Sequence, residues 1–340
     1  MIRIIMALVF SFLCVWLTGP AFIRKLRAMH AGQTEYELGP ASHKSKQGTP
    51  TMGGLLITVS VLTVTAVFAL FRNTGIAALL AALYVFCVFN MLVGFADDYI
   101  KVVKKRNLGL KPRQKMIAQA IAATLFAFFC YYHPAVGSSV HIPFTNRIWD
   151  PGFMYFPLAI ILIIFIVNSA NIQDGVDGIL SSVTAVGALS WTIIAFTACL
   201  PLLSDGTYTD NKAFILALFG ISLTGACCGF LRYNRFPAKV IMGDTGSMFI
   251  GSAMVGIGLM MNQPFLLIGL AFTLIISSVS VIMQRTYYKI THGKRIFKMS
   301  PLHHHFEQCG MSEKKVTAMY TAVAGLMSIT AIIAGCWFLR

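Results

Sequence analysis

The chain has 340 residues, of which 57% are hydrophobic and only 11% charged, with a formal net charge of +15 at pH 7. A soluble domain carries about 25% charged residues, so this composition excludes a soluble globular enzyme and points to an integral membrane protein. The 27 Lys and Arg are dispersed among the loops between apolar runs, which argues for membrane orientation and an anionic substrate and against nucleic acid.

Ten apolar runs of roughly membrane-spanning length, about 20 residues, are expected near 4–22, 51–71, 75–96, 116–132, 154–170, 178–203, 213–231, 239–260, 264–288 and 315–339. The first resembles a signal peptide, but Arg24, Lys25 and Arg27 stop it and further spans follow, so a retained anchor is expected. Ten spans put both termini on one side. The loops after spans one, three, seven and nine hold 22 of the 27 Lys and Arg, and the positive-inside rule makes those loops cytoplasmic and the termini external. Eight cysteines show no CxxC pair or metal-ligand spacing and read as small core residues. No internal repeat interrupts what reads as one membrane domain, residues 1–340.

In chain order, the basic loop 24–50 ends in a block running from His43 through Lys44, Lys46, Thr49, Pro50 and Thr51 to Gly53 and Gly54. Pro50 suits the first turn of a helix, and Thr49 or Thr51 suits its cap. The simpler reading is an ordinary capped helix start with snorkelling lysines; the other is a phosphate held by free N–H groups and the lysines. Span three ends in Phe95-Ala96-Asp97-Asp98-Tyr99, followed by Lys101, Lys104, Lys105, Arg106, Lys111, Arg113 and Lys115. Adjacent carboxylates at a membrane boundary repel one another unless a hard divalent cation or the neighbouring lysines neutralise them. The external loop 133–153 lacks catalytic spacing and reads as a hairpin or short linker.

Between spans five and six lie Asn168, Asn171, Asp174, Gly175, Asp177 and Gly178. Such a block is a tight polar turn or a site, since ionisable groups at membrane depth normally face a wet cavity or a partner. After span seven comes Asn234 to Ser247, in which Asp244 needs either a ligand or a pairing with Lys239 or Arg235. The last basic loop, 285–314, carries Pro301, His303, His304, His305, Phe306 and Glu307. Three consecutive histidines cannot share one helical face, which argues against an i, i+4 zinc site; in an irregular loop they can fan around an anionic or sugar ligand. Every carboxylate near a predicted cytoplasmic helix end (Asp97, Asp98, Asp174, Asp177, Asp244) thus falls on the face that carries most of the basic residues. Acids for a metal beside bases for phosphates are the parts of phosphoryl transfer, and the membrane implies a lipid substrate. No GxxxxGK[ST] sequence is present, which disfavours an ATP-driven pump.

These blocks, spread over nearly the whole chain, resemble the phospho-N-acetylmuramoyl-pentapeptide transferases within the polyprenyl-phosphate N-acetylhexosamine-1-phosphate transferase superfamily. The Thr-Pro-Thr-Met-Gly-Gly and His-His-His-Phe-Glu blocks are the ones similar to the muramoyl-pentapeptide branch specifically. The resemblance implies an all-α, ten-helix bacterial inner-membrane protein, dimeric, with a cytoplasmic cleft. It implies Mg²⁺-dependent transfer of phospho-MurNAc-pentapeptide from UDP-MurNAc-pentapeptide to undecaprenyl phosphate, giving lipid I and UMP. By the same resemblance Asp244 holds the metal; Asp97, Asp98, Asp174, Asp177 and His303 are catalytic, with Asp98 the base. Lys46, Thr51, Lys101, Lys105, Lys115, Asn171, Asn234, His304 and His305 bind substrate. Ile241 stands where relatives can carry a phenylalanine against uracil. Direct attack by the lipid phosphate and a covalent phosphosugar-enzyme are both compatible with these residues. The rivals are a UDP-GlcNAc-dependent sister enzyme and, from another class, a multi-span carrier, although acids clustered at one membrane face without repeats are unlike a transporter.

Overall fold

The computed structural model describes residues 1–29, 48–70, 77–104, 109–200 and 211–337. Helices α1 (Ile2–Ala28), α2 (Gly54–Leu70), α3 (Ala77–Val103), α4 (Pro112–Tyr132), α5 (Tyr155–Gln173), α6 (Ile179–Cys199), α7 (Lys212–Asn234) and α8 (Gly243–Met260) are followed by the short α9 (Leu267–Leu270), then α10 (Phe272–Ile290), α11 (Leu302–Gln308) and α12 (Glu313–Trp337). Each predicted apolar run falls on a helix. Among the described residues, seven helices are long and apolar enough to cross a membrane, or eight if the segment Pro264–Leu270 and α10 are counted as one span. The protein is therefore a helical, multi-pass membrane protein.

Burial explains the differences among these helices. Helix α7 is the hub: 89% of its apolar window is buried, against 22% for α1 and 28% for α12. It packs against α6, α1 and α2, and it is apolar all round, as a helix enclosed on every side should be. Its contact with α1 depends on Gly225 and Gly229, where a Cβ would strike the carbonyls of Leu8 and Phe12; small residues let backbones approach closely in the absence of a hydrophobic drive between membrane helices. Helix α8 is buried from Thr245 to Met260 between α3, α5 and α2. Having no lipid-facing side, it can be rich in Gly and Ser.

Two expectations change. The ninth run is not straight: the chain bends by 83° between Pro264–Leu270 and α10, a break that an unbroken apolar sequence does not announce. Pro50 does not open a helix. Residues 50–54 instead pair through the backbone with the segment before α8, turning at Met52 (φ 66°), with the Ile241 N–H donating to Pro50 O (2.8 Å), Gly53 N–H to Ile241 O (2.9 Å) and Gly54 N–H to Met242 O (2.9 Å), and α2 begins only at Gly54. The loop 133–153 does hold a hairpin, β1 (Val140–His141) against β2 (Ile148–Trp149), antiparallel with Val140 opposite Trp149. Asn262 fastens it: its Nδ2 donates to the carbonyls of Val136 (2.9 Å) and Ser139 (2.8 Å). All eight cysteines are free.

Candidate active site

The end of α3 and the start of α8 form the centre of the site. A Cβ on Gly94 would collide with the Asp244 carbonyl, so a bare glycine one turn before Asp97 is what lets α3 approach the first turn of α8. That approach brings together Asp97 and Asp98, both buried, and Asp244, which follows Gly243 at φ 75°. Ligand oxygens of the three carboxylates lie within 4.8 Å of one another, the one such group of His, Cys, Asp or Glu among the described residues that could hold a metal ion. An all-oxygen donor set suits a hard cation.

Each carboxylate also has a second duty. Asp98 Oδ1 accepts from the Asp244 N–H (3.2 Å), and its Oδ2 accepts from the N–H (3.0 Å) and hydroxyl (2.7 Å) of Thr245. The first N–H groups of a helix have no intrahelical partner, so Asp98 caps α8 from another helix. Asp97 accepts from the Leu110 N–H through Oδ1 (2.9 Å) and pairs with Lys101 through Oδ2 (2.6 Å). Asp244 Oδ2 lies 2.7 Å from Lys115 Nζ and 3.5 Å from Lys101 Nζ, and its Oδ1 accepts from Asn171 Nδ2 at 2.8 Å. The partners of Asp244 are thus lysines of α3 and α4, not Lys239 or Arg235. Thr51, buried, borders the same group: a side chain on Gly243 would meet both Thr51 Oγ1 and Asp98 Oδ2.

The polar block between spans five and six is only partly a turn. Asn168 and Asn171 lie in the last turns of α5, and the chain leaves the helix at Asp174 before Gly178 starts α6 at φ 75°. Asp177 is clamped from three sides. Its Oδ2 accepts from the Ala238 N–H (2.9 Å), its carbonyl accepts from the Thr317 hydroxyl (3.1 Å), and its N–H donates to Glu313 Oε2 (3.4 Å). Asn234 is buried and joins α6 to the chain after α7, accepting from Ser181 Oγ (3.0 Å) and donating to Val240 O (3.1 Å).

The three histidines stand on a helix, α11, and not in an irregular loop, yet they do fan apart because successive helical residues are about 100° apart. His303, fully buried, and His304 press on the polar turn, where their Nε2 atoms occupy the space a Cβ on Gly175 would need. His304 Nδ1 lies 2.6 Å from Glu307 Oε2. His305 takes a different course: its Nδ1 accepts from the Lys298 N–H (3.1 Å) and its ring packs on Phe297.

The structure therefore gathers Thr51, Asp97, Asp98, Lys101, Lys115, Asn171 and Asp244 around one point, sets His303 and His304 against Gly175, and gives Asp177 and Asn234 bonds to the segment before α8. Lys46 and Lys105 lie outside the described residues. Four participants escape a reading by residue type: Thr245, Ser247, which accepts from Asn171 Nδ2 (3.0 Å), Gln119, which accepts from Asn168 Nδ2 (2.8 Å), and Glu313. Thr245 and Ser247 at least sit within the Asn234–Ser247 block; nothing local marks Gln119 on α4 or the buried acid at the start of α12.

The profile of glycosyl transferase family 4 matches residues 80–262, and signature 1 of the phospho-N-acetylmuramoyl-pentapeptide-transferases matches residues 46–57. The chain is 40% identical over 328 residues to the phospho-N-acetylmuramoyl-pentapeptide-transferase of Bacillus mycoides, covering 96% of each chain. The chain belongs to the phospho-N-acetylmuramoyl-pentapeptide-transferase family. Relatives of the same name from Halalkalibacterium halodurans (39% identical, 98% of each chain) and Clostridium botulinum (38% identical, 97% of this chain and 96% of that one) agree along the whole length. Residues 80–262 run from α3 to just past the end of α8, so the glycosyl-transferase profile contains the full aspartate group, and signature 1 includes Thr51 and the start of α2 beside it.

Proposed function

We infer that this membrane transferase moves phospho-MurNAc-pentapeptide from UDP-MurNAc-pentapeptide to undecaprenyl phosphate, yielding lipid I and UMP. The observation that carries the reading is the group formed by Asp97, Asp98 and Asp244 with Lys101 and Lys115, within a chain related along its full length to transferases of that name. In this reaction an oxygen of the lipid phosphate bonds to the sugar-bearing phosphorus, the P–O bond of the diphosphate breaks, and UMP leaves with the electron pair. The demands are alignment and charge neutralisation.

The residues fit Mg²⁺ as the resident ion: Asp244 with one oxygen each from Asp97 and Asp98 would hold it, and when bound it supplies positive charge for the diphosphate. Lys101 and Lys115, which offset the carboxylates, are placed to take phosphate oxygens and to draw the two anionic substrates together. Asn171 and Ser247 orient Asp244. Lys46 and Lys105 carry the same sign of charge as these lysines and are proposed to add to that field. Thr51 lines the group, and Asn171, Asp174 and Asp177 form the nucleoside side with Asn234. His303 is proposed as a catalytic residue, and His304 and His305 as substrate-binding ones.

Asp98 is the proposed base, but it would first have to exchange the Thr245 hydroxyl. Little proton removal is needed, because the second pKa of a phosphate monoester is about 6. Donors already engage each acid of the aspartate group, which supports direct attack by the lipid phosphate over a covalent phosphosugar-enzyme. Enzyme that retains labelled phosphosugar without acceptor would overturn that choice.

We propose one domain of ten spans, with α2 and the enclosed α8 among them, both termini periplasmic, the catalytic face cytoplasmic, and a homodimer in the bacterial inner membrane. What supports the orientation is the charge bias of the loops. The test of the reaction is UMP release by the detergent-purified protein given undecaprenyl phosphate and either UDP-MurNAc-pentapeptide or UDP-GlcNAc, with and without Mg²⁺. Release with the first donor only, and only with the metal, is expected. Release with UDP-GlcNAc instead assigns the protein to the sister reaction.

A further inference from the structure

A groove of about 900 Å³ opens beside Asp177, between the start of α6, the end of α7 and the first turns of α12. None of Asp97, Asp98, Asp244, Lys101 or Lys115 lines it. Four cations do: Arg232, Arg235 and Lys239 from α7 and the segment after it, and Lys314 from α12. The one carboxylate is Asp177, which already accepts from the Ala238 N–H at 2.9 Å. Basic residues scattered along membrane loops need only the positive-inside rule to explain them, whereas these converge on one concavity from chain segments far apart in sequence. Lys314 is further placed by the Phe236 ring, with its Nζ 5.7 Å from the ring centroid.

The groove also changes character with depth. Along α12 the lining runs from Lys314 through Thr317 and Ala318 to Thr321 and Ala322, about 12 Å of helix at 1.5 Å per residue. Leu231 and Ser182 line the facing helices. Helix α12 is only 28% buried over its apolar window, so the lower part of this groove faces the bilayer. A soluble nucleotide has no use for an uncharged floor open to lipid. The acceptor lipid phosphate must reach the aspartate group, which does not line this groove. A basic rim above an uncharged, lipid-open floor is what an anionic membrane lipid requires, and basic pockets between membrane helices bind such headgroups.

We propose that this groove binds the headgroup of an anionic diacyl phospholipid, with its acyl chains along the α6, α7 and α12 faces, as a site that adjoins the substrate site at Asp177 but does not include the aspartate group. The site couples lipid composition to the turn Asp174–Gly178, because Asp177 belongs to both and Thr317, which lines the groove, donates to the Asp177 carbonyl at 3.1 Å.

The test uses the full-length protein purified in a neutral detergent and titrated with dioleoyl phosphatidylglycerol or dioleoyl phosphatidylcholine, counting retained lipid by native mass spectrometry. Wild-type protein is expected to retain phosphatidylglycerol selectively. Arg232→Gln and Lys314→Gln are each expected to weaken that retention about fivefold, the worth of one basic residue near an anionic lipid, leaving phosphatidylcholine unaffected, while Lys314→Arg keeps it. Equal retention of the two lipids by the wild type overturns the proposal without any variant. So does wild-type retention by both Gln variants. Displacement of phosphatidylglycerol by UMP or by undecaprenyl phosphate, with a raised KM for that substrate in the Gln variants, would assign the groove to the substrate. Loss of dimer without loss of lipid would assign it to a second copy of the chain.

Discussion

Asp98 shows how much of the site is built from hydrogen bonds that leave few free donors or acceptors. Both its oxygens are turned to the first residues of α8, so the side chain that borders the candidate metal site also fixes where Asp244 begins its helix. Replacing Thr245 by Val keeps the shape but removes the hydroxyl from a buried carboxylate, a change that costs about 1–3 kcal/mol. Thr245→Val is therefore expected to lower the Tm by several degrees and kcat by about tenfold with little effect on KM. An unchanged kcat would remove Asp98 placement from the mechanism. Asp244→Asn removes the charge shared by Lys101 and Lys115; UMP release should fall by at least about a hundredfold, the scale of losing one preorganised electrostatic partner, and a variant retaining a tenth of wild-type turnover would refute the assignment. At this scale residue type was informative for the acids, because a carboxylate at membrane depth demands a partner. Which partner was not legible. Lys115 meets Asp244 across 129 positions, and nothing in either neighbourhood encodes that meeting.

At the scale of elements, the site is a consequence of how closely α3 and α8 approach. Gly94→Val would push the Asp244 backbone away from Asp97 and Asp98, and activity should be lost together with stability, read as UMP release and Tm on the same preparation. Gly175→Val tests a different contact. Its side chain would displace His303 and His304 from the polar turn, so kcat/KM should drop by at least about tenfold, the order of effect expected from misplacing a substrate-positioning group, while the Tm, set mainly by the enclosed helices, moves little. A large loss of Tm with unaltered kcat/KM would make the histidine block structural only. Most helices were legible from hydropathy, since an apolar run of about 20 residues has few alternatives in a bilayer. The 83° break before α10 was hidden, because apolar composition is the same on both sides of Ala271. The pairing of Pro50–Gly54 with the segment before α8 was hidden as well: Pro and Thr fit a helix start equally well, and the backbone bonds that decide otherwise come from Ile241 and Met242.

At the scale of the whole molecule, the charge bias predicts sidedness. In a background with the exposed Cys228 and Cys309 changed to Ser, a cysteine at Thr145 is expected to react with an impermeant maleimide from outside intact cells, and one at Ser312 only after the membrane is opened. The reverse pattern would invert the topology and place the aspartate group on the wrong face for a nucleotide-linked donor. Chelation should abolish UMP release and Mg²⁺ should restore it; turnover that persists in excess chelator would exclude the metal role of the three carboxylates. Membrane class, the approximate spans and the identity of the acidic and basic blocks follow from the sequence by itself, because transfer of apolar and charged groups between water and lipid depends on residue type and local order alone. Tertiary structure alone decided which acids share a site, which lysines offset them, that α7 and α8 are enclosed while α1 and α12 face lipid, and that four cations line a groove apart from Asp97, Asp98 and Asp244. Those outcomes depend on distances between segments remote in the chain, and close backbone approach at a few glycines, invisible to composition and periodicity, sets them.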